Sequence, residues 1–124
     1  MKLAPIAMFV YNRPRHVQKA VESLQNNELA ETSELFIFAD GAKNELDREN
    51  VSKVRKYIRT ITGFKSIAIF ENEFNKGLAD SVINGVTKIV NEYGKIIVLE
   101  DDLVLSKYFL QYMNNALNMY GNDE

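Results

Sequence analysis

The sequence predicts an α/β domain, doubly wound around a mostly parallel sheet. Three observations carry that expectation. Four short apolar runs alternate with four longer segments whose apolar residues recur at helical spacing. The connections are short enough for right-handed β-α-β crossovers, which place helices on both faces of a parallel sheet. Polar residues gather where the apolar runs end, the edge at which such sheets bind ligands.

The elements follow in the order β-α-β-α-β-α-β-α. Pro5 to Tyr11 is almost wholly apolar, has the length of a strand buried on both faces, and breaks at Asn12. Pro14 suits the first turn of a helix, and Val17, Ala20, Val21 and Leu24 gather one apolar face before Asn26-Asn27 closes it. Leu35 to Ala39 is the second strand, ending in the turn signal Asp40-Gly41. A helix is expected from Glu45 to Ile61, with Leu46, Val51, Val54, Tyr57, Ile58 and Ile61 inward, stopping near Gly63. Ile67 to Phe70 forms the third strand, followed by polar Glu71 to Lys76 and then Gly77. Leu78, Val82, Val86, Ile89, Val90 and Tyr93 make the third helical stripe, closed by Gly94. Lys95 to Leu99 is the fourth strand. Ser106 is the expected cap of a last helix packed through Tyr108, Leu110, Met113, Leu117 and Tyr120.

Composition bounds the function. A chain of 124 residues with 46% hydrophobic content can build one ordinary core, and no repeat or internal linker divides it, so residues 1–124 read as a single domain. The absence of cysteine removes disulfides, iron–sulfur clusters, thiolate zinc sites and cysteine nucleophiles. A formal charge of −2 with interspersed signs argues against a nucleic-acid footprint. No apolar run reaches the roughly 18 residues of a membrane span, so a cytoplasmic location is expected, with any membrane association left to regions outside this chain.

Glu100-Asp101-Asp102 carries the densest chemistry. It ends the last apolar run, and strand alternation sends Glu100 and Asp102 to one face and Asp101 to the other. Like charges about 6 Å apart repel by roughly 3 kcal/mol at an effective dielectric near 20, a penalty that a divalent cation removes. Carboxylates without thiolate suit Mg²⁺ or Mn²⁺, whose remaining positions accept diphosphate oxygens. The alternative is a solvated acidic turn. Context favours the cation: Asn12 and Arg13, Asp40, Asn72 to Gly77, and Glu100 to Asp102 bring amide, guanidinium, carboxylate and glycine from four loops to one sheet edge. Arg13, Arg15 and Lys76 are secondary candidates for phosphate, and His16 is expected on the surface.

In this order the motifs resemble the Rossmann-like, nucleotide-sugar-binding half of GT-A glycosyltransferases, the fold of glycosyltransferase family 2 and of inverting N-acetylglucosaminyltransferases. The resemblance runs from Pro5 to Leu110 and rests on Ala7-Met8-Phe9-Val10-Tyr11-Asn12-Arg13-Pro14, Phe38-Ala39-Asp40-Gly41, Asn75-Lys76-Gly77-Leu78-Ala79 and Val98-Leu99-Glu100-Asp101-Asp102. It implies a metal-dependent glycosyltransferase, transferring hexosyl or N-acetylhexosaminyl groups from a nucleoside diphosphate sugar, a UDP-sugar by first choice. The acceptor, whether saccharide, lipid-linked or protein, is left open. The resemblance places Tyr11, Asn12, Arg13, Asp40, Asn75, Gly77, Glu100 and Asp101 at the donor nucleotide, with Asp40 accepting from the base and Glu100 holding ribose or a metal-bound water. Asp102 is the implied ligand of Mn²⁺ or Mg²⁺. It also implies that the general base lies beyond the acidic motif, so that this chain is the amino-terminal, poorly active part of a longer enzyme. A sugar nucleotidyltransferase would carry a glycine-rich loop after the first strand, and a receiver domain would carry its acidic pair there. Tyr11-Asn12-Arg13-Pro14 offers neither. A noncatalytic nucleotide-binding or protein-interaction module is the remaining alternative.

Overall fold

The computed structural model describes residues 2–121. Strands β1 (Ile6–Val10), β2 (Glu34–Ala39), β3 (Ser66–Glu71) and β4 (Ile97–Glu100) alternate with helices α1 (Pro14–Gln25), α2 (Glu45–Ile58), α3 (Leu78–Tyr93) and α4 (Phe109–Gly121). All strand pairings are parallel and the order is β3-β2-β1-β4. The chain therefore steps from β1 outward to β3 and returns to the opposite flank of β1. That reversal lies between β1 and β4, the place where a crevice opens beyond the carboxyl ends of the strands. The architecture is the doubly wound α/β sheet that the alternation of runs predicts.

Strand periodicity sorts the core into two layers. On one face Ile6, Met8, Leu35, Ile37, Ile97 and Leu99 pack with Val17, Val21 and Leu24 of α1, Val54 and Ile58 of α2, and Leu110 of α4. On the other, Ala7, Phe9, Phe36 and Phe38 meet Val82, Val86 and Ile89 of α3. Across that second face runs a register row: Phe70 lies opposite Phe38, Phe38 opposite Phe9, and Phe9 opposite Glu100. The three rings stack with centroids 5.0 Å apart at each step. Gly85 lets α3 approach this row, since a Cβ there would sit 3.0 Å from the Phe9 ring and 3.2 Å from that of Phe38. An aromatic floor thus leads across the sheet to a carboxylate at the reversal.

Several expectations about packing need correction. Leu46 is 88% exposed. It precedes Val51 by five residues, about 140° of helix rotation, and so falls off the stripe formed by Val51, Val54 and Ile58. α2 stops at Ile58, although Ile61 beyond it remains buried. In α3, Leu78 and Val90 are exposed. β4 begins at Ile97, opposite Ile6, and extends to Glu100; the same register sets Pro5, which has no N–H, against Ile96 and Ala4, whose N–H goes to Asn114, against Lys95. In the last helix Leu110 is buried and Met113 and Leu117 pack against the core, whereas Tyr108, Tyr112 and Met119 are exposed. The Tyr120 side chain lies outside the described residues.

The cap of α4 also differs from expectation. Ser106 contributes its main-chain carbonyl, which accepts from Phe109 N–H and from Asn27 Nδ2. The capping side chain comes from the end of α1: Asn27 Oδ1 accepts Leu110 N–H at 2.8 Å, while its Nδ2 also donates to Ser23 O. Asn114 returns the tie, accepting Ala4 N–H at 2.7 Å. Both asparagines are buried. No helix among the described residues is long and apolar enough to cross a membrane. Asn27→Ala removes a buried cap acceptor and two donors, so urea unfolding should show a loss of about 2 kcal/mol, with α4 the first element to fray.

Candidate functional site

The ends of β1, β2 and β4, the loop after β3 and the start of α3 enclose a cleft of about 330 Å³ at the reversal, within the range of small-ligand sites. Tyr11, Asn12, Arg13, Asp40, Asn75, Gly77, Glu100 and Asp101 all line it. Asp102 does not line it and is exposed. His16 is exposed on α1, as expected. The lining also includes Phe9, Phe38, Lys43, Leu78 and Ser81, which the sequence reading left in the core or unassigned.

Asp40 organises one wall. Its carboxylate is nearly buried and accepts five hydrogen bonds. Oδ1 receives Gly41 N–H, Lys76 N–H and Asn72 Nδ2, and Oδ2 receives Gly77 N–H and Asn75 Nδ2, over distances of 2.9–3.2 Å. A carboxylate has about four lone-pair sites. Its acceptor capacity is therefore largely taken up by Gly41 and the 72–77 loop, which it holds against the cleft. Gly77, at φ +83°, turns the loop so that its N–H reaches the carboxylate before α3 begins. Gly41 permits the close approach of the same loop, since a Cβ there would meet the main-chain carbon of Phe74 at 2.6 Å. From behind, the Arg55 guanidinium donates to the carbonyls of Asp40 and Asn72, tying α2 to the ends of β2 and β3.

A second network holds the end of β1. Tyr11 Oη donates to Asp47 Oδ2 at 2.7 Å and accepts Lys43 N–H at 2.8 Å. Asn12 Nδ2 donates to the other carboxylate oxygen of Asp47 at 3.0 Å. Asp47 sits in the first turn of α2 because Asn44 caps that helix, its side chain accepting Asp47 N–H. The two hydrogen bonds, from Tyr11 first, hold the Asp47 carboxyl below the ordinary range, while burial and the bond to Asp47 raise the Tyr11 phenol. The sequence reading missed Asp47. An Asn-x-x-Asp cap signal predicts a helix start there, and nothing local links it to residues 35 positions earlier.

β4 ends at Glu100, so Asp101 and Asp102 lie in the turn that follows and strand alternation stops short of them. Glu100 shares the α3 face with Phe9, whereas Asp101 turns to the α1 face, where it is buried and paired with Arg13 Nη2 at 2.6 Å. Burial pushes the Asp101 carboxyl above its ordinary value, and the adjacent Arg13 charge opposes that shift. Arg13 itself remains about half exposed, so it carries a cation to the cleft while anchored from below.

As for a divalent ion, no cluster of three or more histidine or carboxylate ligands occurs among the described residues. Asp101 is already engaged by Arg13. The donor set left is Glu100 and Asp102, both exposed carboxylates. One or two carboxylates with phosphate and water completing the shell fit Mg²⁺ or Mn²⁺, and do not fit an ion caged by protein alone.

Two substitutions test this construction. Gly41→Ala forces the main chain of the 72–77 loop away and should cost about 2 kcal/mol in denaturant unfolding. Asp101→Asn should behave differently. A carboxyl raised by burial binds its proton more tightly in the folded state, so its ionised form weakens the fold as pH rises above the ordinary value of 3.8. The variant should melt at or above the wild-type temperature at pH 7, with any gain vanishing below about pH 4.

A search of curated proteins returns no match. The model of glycosyl transferase family 2, by contrast, matches residues 6–123. That stretch includes all four strands and every residue lining the cleft. The chain belongs to glycosyl transferase family 2, as a glycosyltransferase domain working with a nucleotide-sugar donor and an acceptor.

Proposed function

We propose that the cleft at the β1–β4 reversal binds a nucleoside diphosphate sugar, a UDP-sugar by first choice, together with Mn²⁺ or Mg²⁺, for glycosyl transfer to an acceptor hydroxyl. The observation that carries this reading is the meeting in one cleft of three strand ends and the loop after the fourth strand, with an aromatic floor at one side and a cation and carboxylates at the other.

The parts divide by chemistry. Phe9, Phe38 and the ring of Tyr11 provide apolar surface, and Asn12 a polar edge, for the nucleoside. Asp40 acts through the loop it holds, setting Asn75 and Gly77 against the ligand. Arg13, braced by Asp101, and Lys43 place positive charge near the diphosphate. Glu100 accepts from ribose hydroxyls. Asp102, with Glu100 nearby in sequence, would hold the divalent ion, which supplies Lewis-acid stabilisation of the diphosphate leaving group. In the transfer, the acceptor oxygen bonds to the anomeric carbon as the bond from that carbon to phosphate oxygen breaks. The nucleoside diphosphate leaves with the electron pair, and the acceptor proton passes to a general base. No residue of this chain is assigned that last role.

Calorimetric titration of UDP with and without Mn²⁺, at constant ionic strength, tests the reading. Affinity should rise with metal, and Asp102→Ala should lower it about tenfold, or 1.4 kcal/mol. Affinity indifferent to metal and to the substitution would remove the metal assignment. Absence of any nucleotide affinity in the folded protein would favour an interaction module instead.

A further inference from the structure

We propose that Asp47, which lies outside the cleft lining, is the positioning residue that fixes the polarity of Asn12 toward the ligand and thereby selects a base presenting an N–H donor. The inference rests on the cleft being a nucleotide site, and it assigns base discrimination to the first turn of α2.

An asparagine amide offers a donor end and an acceptor end and can present either by rotating. A neutral partner would tolerate both orientations. An ionised carboxylate accepts only, so Asp47 Oδ1 holds Asn12, a residue of the cleft lining, by its nitrogen and leaves the side-chain carbonyl as the end not engaged by that bond. The other carboxylate oxygen holds Tyr11 through its hydroxyl, which also accepts Lys43 N–H. Both hydrogen-bonding roles of that hydroxyl are thereby used, so Tyr11 brings its ring to the ligand while Asn12 brings an acceptor. Asp47 is tethered in turn by its own N–H to Asn44, the cap of α2. The charged groups around the pair are Asp40 and Lys43, and neither touches the Asp47 carboxylate through a hydrogen bond.

A fixed acceptor matches the imide N–H of uracil, which lies between two carbonyls, and mismatches cytosine, whose ring nitrogen at that position is itself an acceptor. Sites built to receive a donor reject analogues that lack it strongly, because a desolvated acceptor is left unpaired. Asp47→Asn keeps shape and volume but gives Asn12 a partner that accepts or donates, so the amide is no longer held one way.

The test compares UDP and CDP affinities, with metal present, for wild type, Asp47→Asn, Asn12→Ala and the double variant, alongside titration of the Tyr11 phenol identified by a Tyr11→Phe control. The wild type should prefer UDP by at least tenfold. Asp47→Asn should reduce that preference about tenfold, move the Tyr11 titration toward its ordinary value, and add nothing in the Asn12→Ala background. Asp47 is partly exposed at a helix start, and melting curves establish that each variant is folded. An Asp47→Asn protein with undiminished UDP preference overturns the proposal even if the phenol titration moves, because Asp47 is then only a structural clamp. A wild type that binds neither nucleotide, with the phenol titration still responding to Asp47, overturns the nucleotide reading of the cleft and the base selection with it.

Discussion

The site depends on one buried charge. Ionised carboxylates are costly to remove from water unless hydrogen bonds replace the lost hydration, and Asp40 at the end of β2 is supplied with five. Two of the donors are main-chain N–H groups immediately before α3, and two are asparagine amides from the loop leaving β3. The requirement to satisfy this carboxylate therefore determines the path of the chain from β3 to α3. Gly41 and Gly77 follow from the same requirement, one by allowing main chains to approach and the other by aiming an N–H. Arg55 closes the arrangement from the helix side.

The acidic tripeptide shows how the end of a strand separates neighbouring like charges. Asp101 turns to the α1 face, where Arg13 offsets it, and Glu100 lies on the face of the phenylalanine row. The pairing is not a source of stability in itself, since burial works against the charged form. Its consequence is positional. A half-exposed guanidinium held at its base is a more ordered cation than one free in solvent, and less conformational freedom is lost when an anion binds it.

The architecture was legible because the sheet and its helices are specified by periodicity, which is local. Four runs, four stripes and their order led to the doubly wound sheet, and the motifs at the strand ends led to the residues that line the cleft. What periodicity could not show is contact between residues far apart in sequence. Asn27 capping α4, Arg55 reaching the carbonyls of Asp40 and Asn72, and Asp47 holding Tyr11 and Asn12 are all of that kind. Asp40 illustrates the same boundary from the other side. Its importance followed from its place after β2, but the loop donors that use its lone pairs became visible only in three dimensions. The errors at Leu46 and Tyr108 arose differently: Leu46 was counted as inward although its angular position lies off the stripe, and Tyr108 although it precedes the first residue of α4.

The two faces of the sheet are unequally secured. Among the described residues the layer shared by α1, α2 and α4 contains eighteen buried apolar residues, and the α3 layer contains three. Elements with little buried contact open at lower free energy than the whole domain unfolds. α3 is such an element, and its first turn supplies Leu78 and Ser81 to the wall of the cleft. Hydrogen exchange along α3 should consequently follow partial detachment from the phenylalanine row, and that of α1 and the central strands global unfolding. A molecule seated in the cleft restrains that detachment, so its binding free energy is expressed first as protection of the α3 amides.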